Sequence, residues 1–319
     1  TPVISSAASD VYKRQAYQQG DTITASDYNT LIGNINTIIG TGSGNSGYVL
    51  SEISTVAAGA TITAAQWNSL LSGLQKGAGH QGSTVTNASN TVTTGGNILP
   101  LSNLEADITT ITTNKLTAAG ANLSTGVAGT SSTRTTAWTG QVTHQFTVNY
   151  GSQNAARHFF NSGGRITMAF SRSGGSSTAQ NTSWTNLLSG IGTASFGHTD
   201  TTASAGGTSI GFHDLTSSDQ TILSSAVGSG DYAANDLLIQ ANSDGSGLVT
   251  FKLYFNDDHV AETGTYTGGG LGNSPNEGQG WTGTDSVDGT LSSTITFTKA
   301  DNASFVQVAS PVFTNTSTL

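Results

Sequence analysis

The densest cluster of side chains able to do chemistry is Asn256-Asp257-Asp258-His259. Adjacent carboxylates with backbone carbonyls can hold a hard cation, and Asp285 and Asp288 could add ligands. The spacing is not that of an EF-hand and histidine is a poor calcium ligand, so a solvated turn closing a strand over 249–255 is the stronger reading. Gly207-Thr208-Ser209-Ile210-Gly211 matches the nucleophile-elbow pattern, with Asp257, Asp258 and His259 downstream as acid and base. That chemistry needs a strand–turn–helix in an α/β sheet, which the surrounding pattern does not offer. Gly42-Ser43-Gly44-Asn45-Ser46-Gly47 spells a dinucleotide fingerprint. A helix precedes it and none starts at its last glycine, so it reads as a plain loop. His80, His144, His158, His198 and His213 lack metal-ligand spacing. Trp138, Trp184 and Trp281 could stack on sugars, although tryptophans are more often core or interface residues. The sequons at Asn87 and Asn181 carry little weight in a chain this rich in Asn, Ser and Thr. No catalytic, metal or cofactor-binding residue is expected.

Composition narrows the classes further. The 319 residues include no Cys, so disulfides, thiolate metal sites and cysteine nucleophiles are excluded. A net charge of −9 argues against a general nucleic-acid binder, and no apolar run approaches the length of a membrane span. Gly supplies 41 residues, about twice the average share. Only 9% of residues are charged, which leaves a Ser/Thr/Gly/Asn-rich, β-dominated chain. The single methionine is Met168. Residues 1–15 read as a non-native or scar segment and are set aside from fold reasoning.

The elements come next. Gly20 to Ile32 recurs 39 positions later as Gly59 to Leu71, both reading Gly-x-Thr-Ile-Thr-Ala-x-x-aromatic-Asn-x-Leu-aliphatic. Thr24 and Thr63 suit helix N-caps. Gln66 completes a capping box, Asp27 favours the positive helix end, and Ile23 and Ile62 sit where a hydrophobic staple belongs. The first helix carries Tyr28, Leu31, Ile32, Ile35 and Ile38 on one face and is expected to stop at Gly40 in a left-handed C-cap. A third capping box, Ser102 to Glu105, opens a helix with Leu101, Leu104, Ile108 and Ile111 on one stripe. Residues 77–98 read as an extended or mobile linker, and residues 117–133 as a second linker. Three short helices with such linkers build little core alone, so region 16–116 is expected to become ordered against something else. Tyr28, Leu31, Trp67, Leu70, Leu104, Ile108 and Ile111 are therefore candidate subunit-interface residues, with burial in their own core as the alternative.

From about Arg134 the period changes to two: Val142, Phe146, Val148 and Tyr150; Ile166, Met168 and Phe170; Val249, Phe251, Leu253 and Phe255; Ile295 and Phe297; Val306, Val308 and Val312. Trp184 to Leu188 reads as a short helix. Many short strands without βα alternation predict an antiparallel β-sandwich over 134–319, making the chain mainly β with a small helical repeat region in front. Charge is uneven here. Arg134, Arg157, Arg165 and Arg172 precede an acidic stretch beginning at Asp200. Early and late strands could pair internally, or Arg157 and Arg165 could face the acidic part of a neighbouring subunit.

The repeat, with its Gly/Ser-rich segment from Gly40 to Tyr48 and His80-Gln81-Gly82 after the second copy, resembles a module of virion structural proteins of large contractile-tailed bacteriophages of the marine cyanophage kind. Phe159 to Ile166, Gln180 to Trp184, Phe255 to His259 and Asp288 to Leu291 resemble the same family. The resemblance spans most of 17–319. It implies a non-enzymatic structural role at the tail, neck or a fibre, through contacts with copies of itself and other virion proteins. It also implies localisation to the virion after assembly in the host cytoplasm, without nucleic-acid or membrane partners. Two other roles stay open: a host-surface glycan-binding adhesin module using exposed aromatics such as Trp281, and a cellular surface-filament subunit. A hydrolase built on Ser209 is the remaining option.

Overall fold

A computed structural model describes residues 23–88, 91–96, 101–226, 232–259, 263–265, 280–282 and 286–319. Of Leu101, Ser102, 263–265 and 280–282 only the backbone is described. Residues 1–15, the start of the first repeat copy at 20–22, and Asp285 lie outside these segments. The chain divides into two compact units, one of 1–123 with 300–308, the other of 124–299 with 309–319.

The N-terminal unit contains helices α1 (Ala25–Ile39), α2 (Ala64–Gln81) and α3 (Leu101–Thr113), and each packs on the other two. The caps form as the sequence requires. Thr24 accepts from the Asp27 N–H, and Thr63 and Gln66 form a reciprocal capping box. α2 ends in a left-handed Gly82 (φ 69°) whose N–H reaches Ala78 and Gly79 carbonyls. α1 and α2 run in the same direction. Tyr28 stacks on Trp67 at 6.2 Å, Ile35 touches Gly73, and Ile39 touches Gly73 and Gly77. Parallel neighbours need a return connection, and residues 40–62 supply it.

This unit has its own core. Tyr28, Leu31, Trp67, Leu70, Leu104, Ile108 and Ile111 are all buried in it, none more than 6% exposed. Their apolar faces are closed by their own helices, which is the alternative of burial in their own core. Tyr48 is buried as well, donating to the Lys115 carbonyl at 2.6 Å and accepting from Gln81 at 2.9 Å. Burial pushes its hydroxyl pKa upward. Residues 300–308 return to this unit, where Asn122 accepts from the Asp301 N–H and the Phe305 ring lies over Gly79.

Three expectations change. Gly40 is not left-handed (φ −84°); a Cβ there would lie 2.7 Å from both the Asn36 carbonyl and the Glu52 side chain. α3 begins at Leu101, so Ser102 lies inside the first turn, not at the cap. The linker drawn over 77–98 begins inside α2, and its described remainder is hydrogen-bonded to α2 and α3.

Val49, half exposed at 51%, is a non-glycine residue in the left-handed region, at φ 66°. The return of the chain holds it there, with Val49 N–H on the Gly40 carbonyl and Leu50 N–H on the Ile39 carbonyl. A β-branched residue in this conformation costs about 1–2 kcal/mol. Val49→Asn is expected to stabilise the unit by about 1 kcal/mol, read as a higher urea midpoint; an unchanged or lower midpoint would refute the strain assignment.

The second unit is a β-sandwich. One antiparallel sheet has the order β1 (Leu123–Arg134), β11 (Thr290–Ala300), β3 (Arg165–Ser173), β4 (Thr193–Phe196), β5 (Thr201–Thr202). The other has the order β12 (Val312–Ser317), β2 (Gly140–Asn149), β8 (Leu248–Asp257), β7 (Asp236–Ser243), β6 (Gln220–Ser225). A separate hairpin pairs β9 (Thr263–Thr265) with β10 (Gly280–Thr282). Alternation decides the inner faces. In β8, Val249, Phe251, Leu253 and Phe255 are fully buried while their neighbours are half exposed. Phe251 stacks on Phe146 at 5.1 Å and meets Phe196 edge-on at 5.2 Å, joining the two sheets. Helices α4 (Gln153–Asn161) and α5 (Ala179–Ile191) add Phe159, Phe160, Trp184 and Leu187 to this core.

The expected linker over 117–133 is instead a short 3-10 turn at Gly120–Asn122 followed by the edge strand β1. On both sides of the sandwich the two sheets are linked. On one, Thr130 and the Ser131 carbonyl bond Asn315 of β12. On the other, Thr208 bridges to β5 and Gly207 to β6.

Candidate functional site

Three of the sequence segments singled out above converge at the first turn of α5. Thr178 caps the helix by accepting from the Asn181 N–H. Gln180 then reaches Asp257 at the end of β8, donating to its two oxygens at 3.0 and 2.8 Å. Its neighbour Asn181 reaches Asp288, just before β11, donating to the carboxylate and accepting from the Asp288 N–H at 3.1 Å. One helix turn thus ties a carboxylate from each sheet.

Asp257 is 3% exposed and meets neutral donors. Besides Gln180 it accepts from Asn235 Nδ2 at 2.8 Å and Trp184 Nε1 at 3.3 Å. A buried carboxylate is tolerable when several N–H groups converge on it, and a helix N-terminal turn adds favourable dipoles. Asn235 extends the hub, its Oδ1 accepting from the Asp258 and His259 N–H groups. Both Asp257 oxygens are therefore taken by hydrogen bonds that position β7, β8 and α5. Among the described residues no three His, Asp or Glu side chains are grouped to hold a metal.

Asp288 is more open. Arg172 pairs with it at 3.2 Å and also donates to its carbonyl, and the Ser176 N–H donates to both oxygens. Hydrogen bonds from Ser176 and Asn181, with the Arg172 charge, hold its carboxyl below the usual range. The Cβ of any residue at Gly175 (φ 73°) would lie 2.5 Å from this carboxylate.

The other sequence candidates have bland surroundings. Ser209 is exposed in the connection between β5 and a 3-10 turn at Phe212–Asp214, with no strand–turn–helix around it. The glycine-rich loop at 42–47 is held by Lys115, whose ammonium donates to Asn45 and Ser46. Trp138 and Trp184 are buried against each other at 4.8 Å, so neither can stack on a sugar. Trp281 lies in β10, its side chain outside the described residues. The charge asymmetry resolves within the unit: Arg165 pairs with Asp200 at 3.4 Å and Arg172 with Asp288. Arg157 is 8% exposed and donates to Asn154, within its own helix. Arg157 and Arg165 thus both have partners within the unit.

His144 in β2 is fully buried and bridges the sheets, with Nδ1 3.0 Å from Ser293 of β11 and Nε2 3.0 Å from Asn315 of β12. Asn315 Oδ1 also accepts from Thr130, and its amide donates to the Ser131 carbonyl. Burial lowers the His144 pKa, against a smaller opposite effect from Asn315. The sign follows from proton counting. Below pH ~6.5 the unfolded chain takes up this proton before the folded one does, so stability is complete above that pH and falls as pH drops. The native chain is expected to lose urea stability between pH 7.5 and 5.5, and His144→Gln to lose less. Equal losses would show that His144 does not drive the change.

The motif asparagine of the repeat has a role that sequence reading missed. Asn29 brackets Val56, donating to its carbonyl at 2.9 Å and accepting from its N–H at 2.8 Å. Asn68, the same position in the second copy, brackets Val92 at 2.9 and 2.8 Å. Seven residues on, Asn36 brackets Ile53 in the same way and Gln75 donates to the Ala88 carbonyl. Each helix thus holds the chain that follows it, running backwards along its surface. Seven helical residues rise about 10.5 Å, and three extended residues cover about 10 Å, so Ile53 to Val56 must be extended. The signal lay in amide side chains repeating at a spacing of seven.

No family model, curated protein or solved structure matches the chain.

Proposed function

We propose that the chain is a non-enzymatic structural subunit of a bacteriophage particle, placed at the tail, neck or a fibre, which assembles with copies of itself and with other virion proteins. The observation that carries the structural part is the use made of the polar side chains. Asp257, Asp288, Gln180, Asn181, Asn29, Asn36 and Asn68 all position backbone or join elements. That is the economy of a scaffold whose surface must be reproducible from copy to copy. The low charge suits close contacts, where desolvating ions is costly. The viral part rests on the resemblance of the repeat and of the Gln180, Asp257 and Asp288 segments. Antibody labelling of purified particles, viewed by electron microscopy, tests it. Label at one defined place on the particle is the expected result, and unlabelled particles with the chain free in the lysate would overturn it.

A further inference from the structure

Trp67 is 1% exposed, and its indole N–H has no hydrogen-bond partner among the described residues. The first repeat copy shows the contrast. Tyr28, at the same position, donates its hydroxyl to the Gln66 carbonyl of the next helix at 2.9 Å. Trp67 stacks on Tyr28 and has no such carbonyl to reach. A buried donor without an acceptor is costly, and proteins keep few of them.

Trp67 lines a pocket of about 760 Å³, a size usual for small-molecule sites. The pocket belongs to the N-terminal unit and lies at the first turns of α1 and α2. Side chains lean toward the N-terminus of their own helix, so the Trp67 indole is aimed at this end of α2. Ile23, Ile62 and Val92 make the walls apolar, and no charged side chain lines them among the described residues. Ala64, also in the lining, is the first residue of α2, so its N–H has no carbonyl within the helix. The Thr63 side chain caps the Gln66 N–H and not that of Ala64. The two helices differ in charge here. α1 has Asp27 in its first turn, accepting from the Thr24 hydroxyl, whereas α2 has no acid there. The positive end of α2 is therefore not offset by an acidic side chain of its own.

We propose that this pocket binds a small carboxylate with an apolar body. The carboxylate accepts from the Ala64 N–H and from the Trp67 indole N–H, and the body lies against Ile23, Ile62 and Val92. A helix N-terminus favours an anion, and charge strengthens both hydrogen bonds. Uncharged walls favour an apolar body over a fully polar anion. The inference goes beyond the structural role proposed above and does not depend on it.

Octanoate added to the full chain is the probe. Binding is expected to saturate and to move the Trp67 indole proton downfield in NMR spectra. Trp67→Phe identifies that resonance by its loss. Octanol has the same body without charge, and inorganic phosphate has charge without the body; each is expected to bind at least about tenfold more weakly than octanoate. Ala64→Pro removes the N–H alone, because proline is favoured at the first helical position and Thr63 is already extended (φ −82°, ψ 157°). It is expected to weaken octanoate at least about fivefold while the urea midpoint is kept, and Trp67→Phe to weaken it by a similar factor. Absence of saturable octanoate binding would overturn the proposal. So would octanol or phosphate binding as tightly as octanoate, or unweakened binding by both variants.

Discussion

Replacing Asp257 with alanine is expected to destabilise the sandwich unit by at least about 3 kcal/mol. The carboxylate is the common acceptor for Gln180, Asn235 and Trp184. Its loss leaves three buried donors unsatisfied, and hydrogen bonds to a charged group contribute about 1.5–3 kcal/mol each. For a unit of this size that corresponds to a melting temperature lower by roughly 6–12 °C. Asp257→Asn is expected to lose less, since the shape and one acceptor remain. Calorimetry distinguishes this hub from a solvated turn, for which both substitutions would shift the melting temperature by no more than about 2 °C.

Replacing Asn68 with alanine is expected to cost the N-terminal unit about 2 kcal/mol. The substitution removes both hydrogen bonds of the bracket and leaves the Val92 N–H and C=O without their partner. Hydrogen exchange gives a local reading: the Val92 amide should lose protection first, and Asn29→Ala should do the same to Val56. Asn34→Ala, an exposed position on α1, is the control and should stay within about 0.5 kcal/mol of the native chain. If Asn68→Ala behaved like Asn34→Ala, the motif asparagine would not be a backbone bracket.

The legible parts of the fold are those governed by local rules. Thr24, Thr63 and Gln66 form the caps that their spacing requires, and the period of two locates β2, β3, β8 and β11. What is not legible depends on distant partners. β1 has little apolar alternation, because it is an edge strand. At its Gly129 a Cβ would lie 3.0 Å from the Phe313 ring, and Thr130, Ser131 and Ser132 hydrogen-bond to Asn315 and Leu319. Region 16–116 reads as lacking a core because the sequence does not reveal that Tyr48 and Gln81 close it from the connections. Asp257 is visible as part of a polar cluster. Its burial is not, since that depends on Gln180 and Asn235 arriving from elsewhere in the chain. Arg165 and Arg172 show the same limit: charge asymmetry is legible, and the partners Asp200 and Asp288 are set by strand order.

A self-assembling structural subunit, as proposed for this chain, must associate with copies of itself. The native mass of the purified full chain in solution, by light scattering across a concentration series, tests it most directly. A discrete oligomer or a growing assembly that persists on dilution is the expected result. A monomer at every concentration would contradict it.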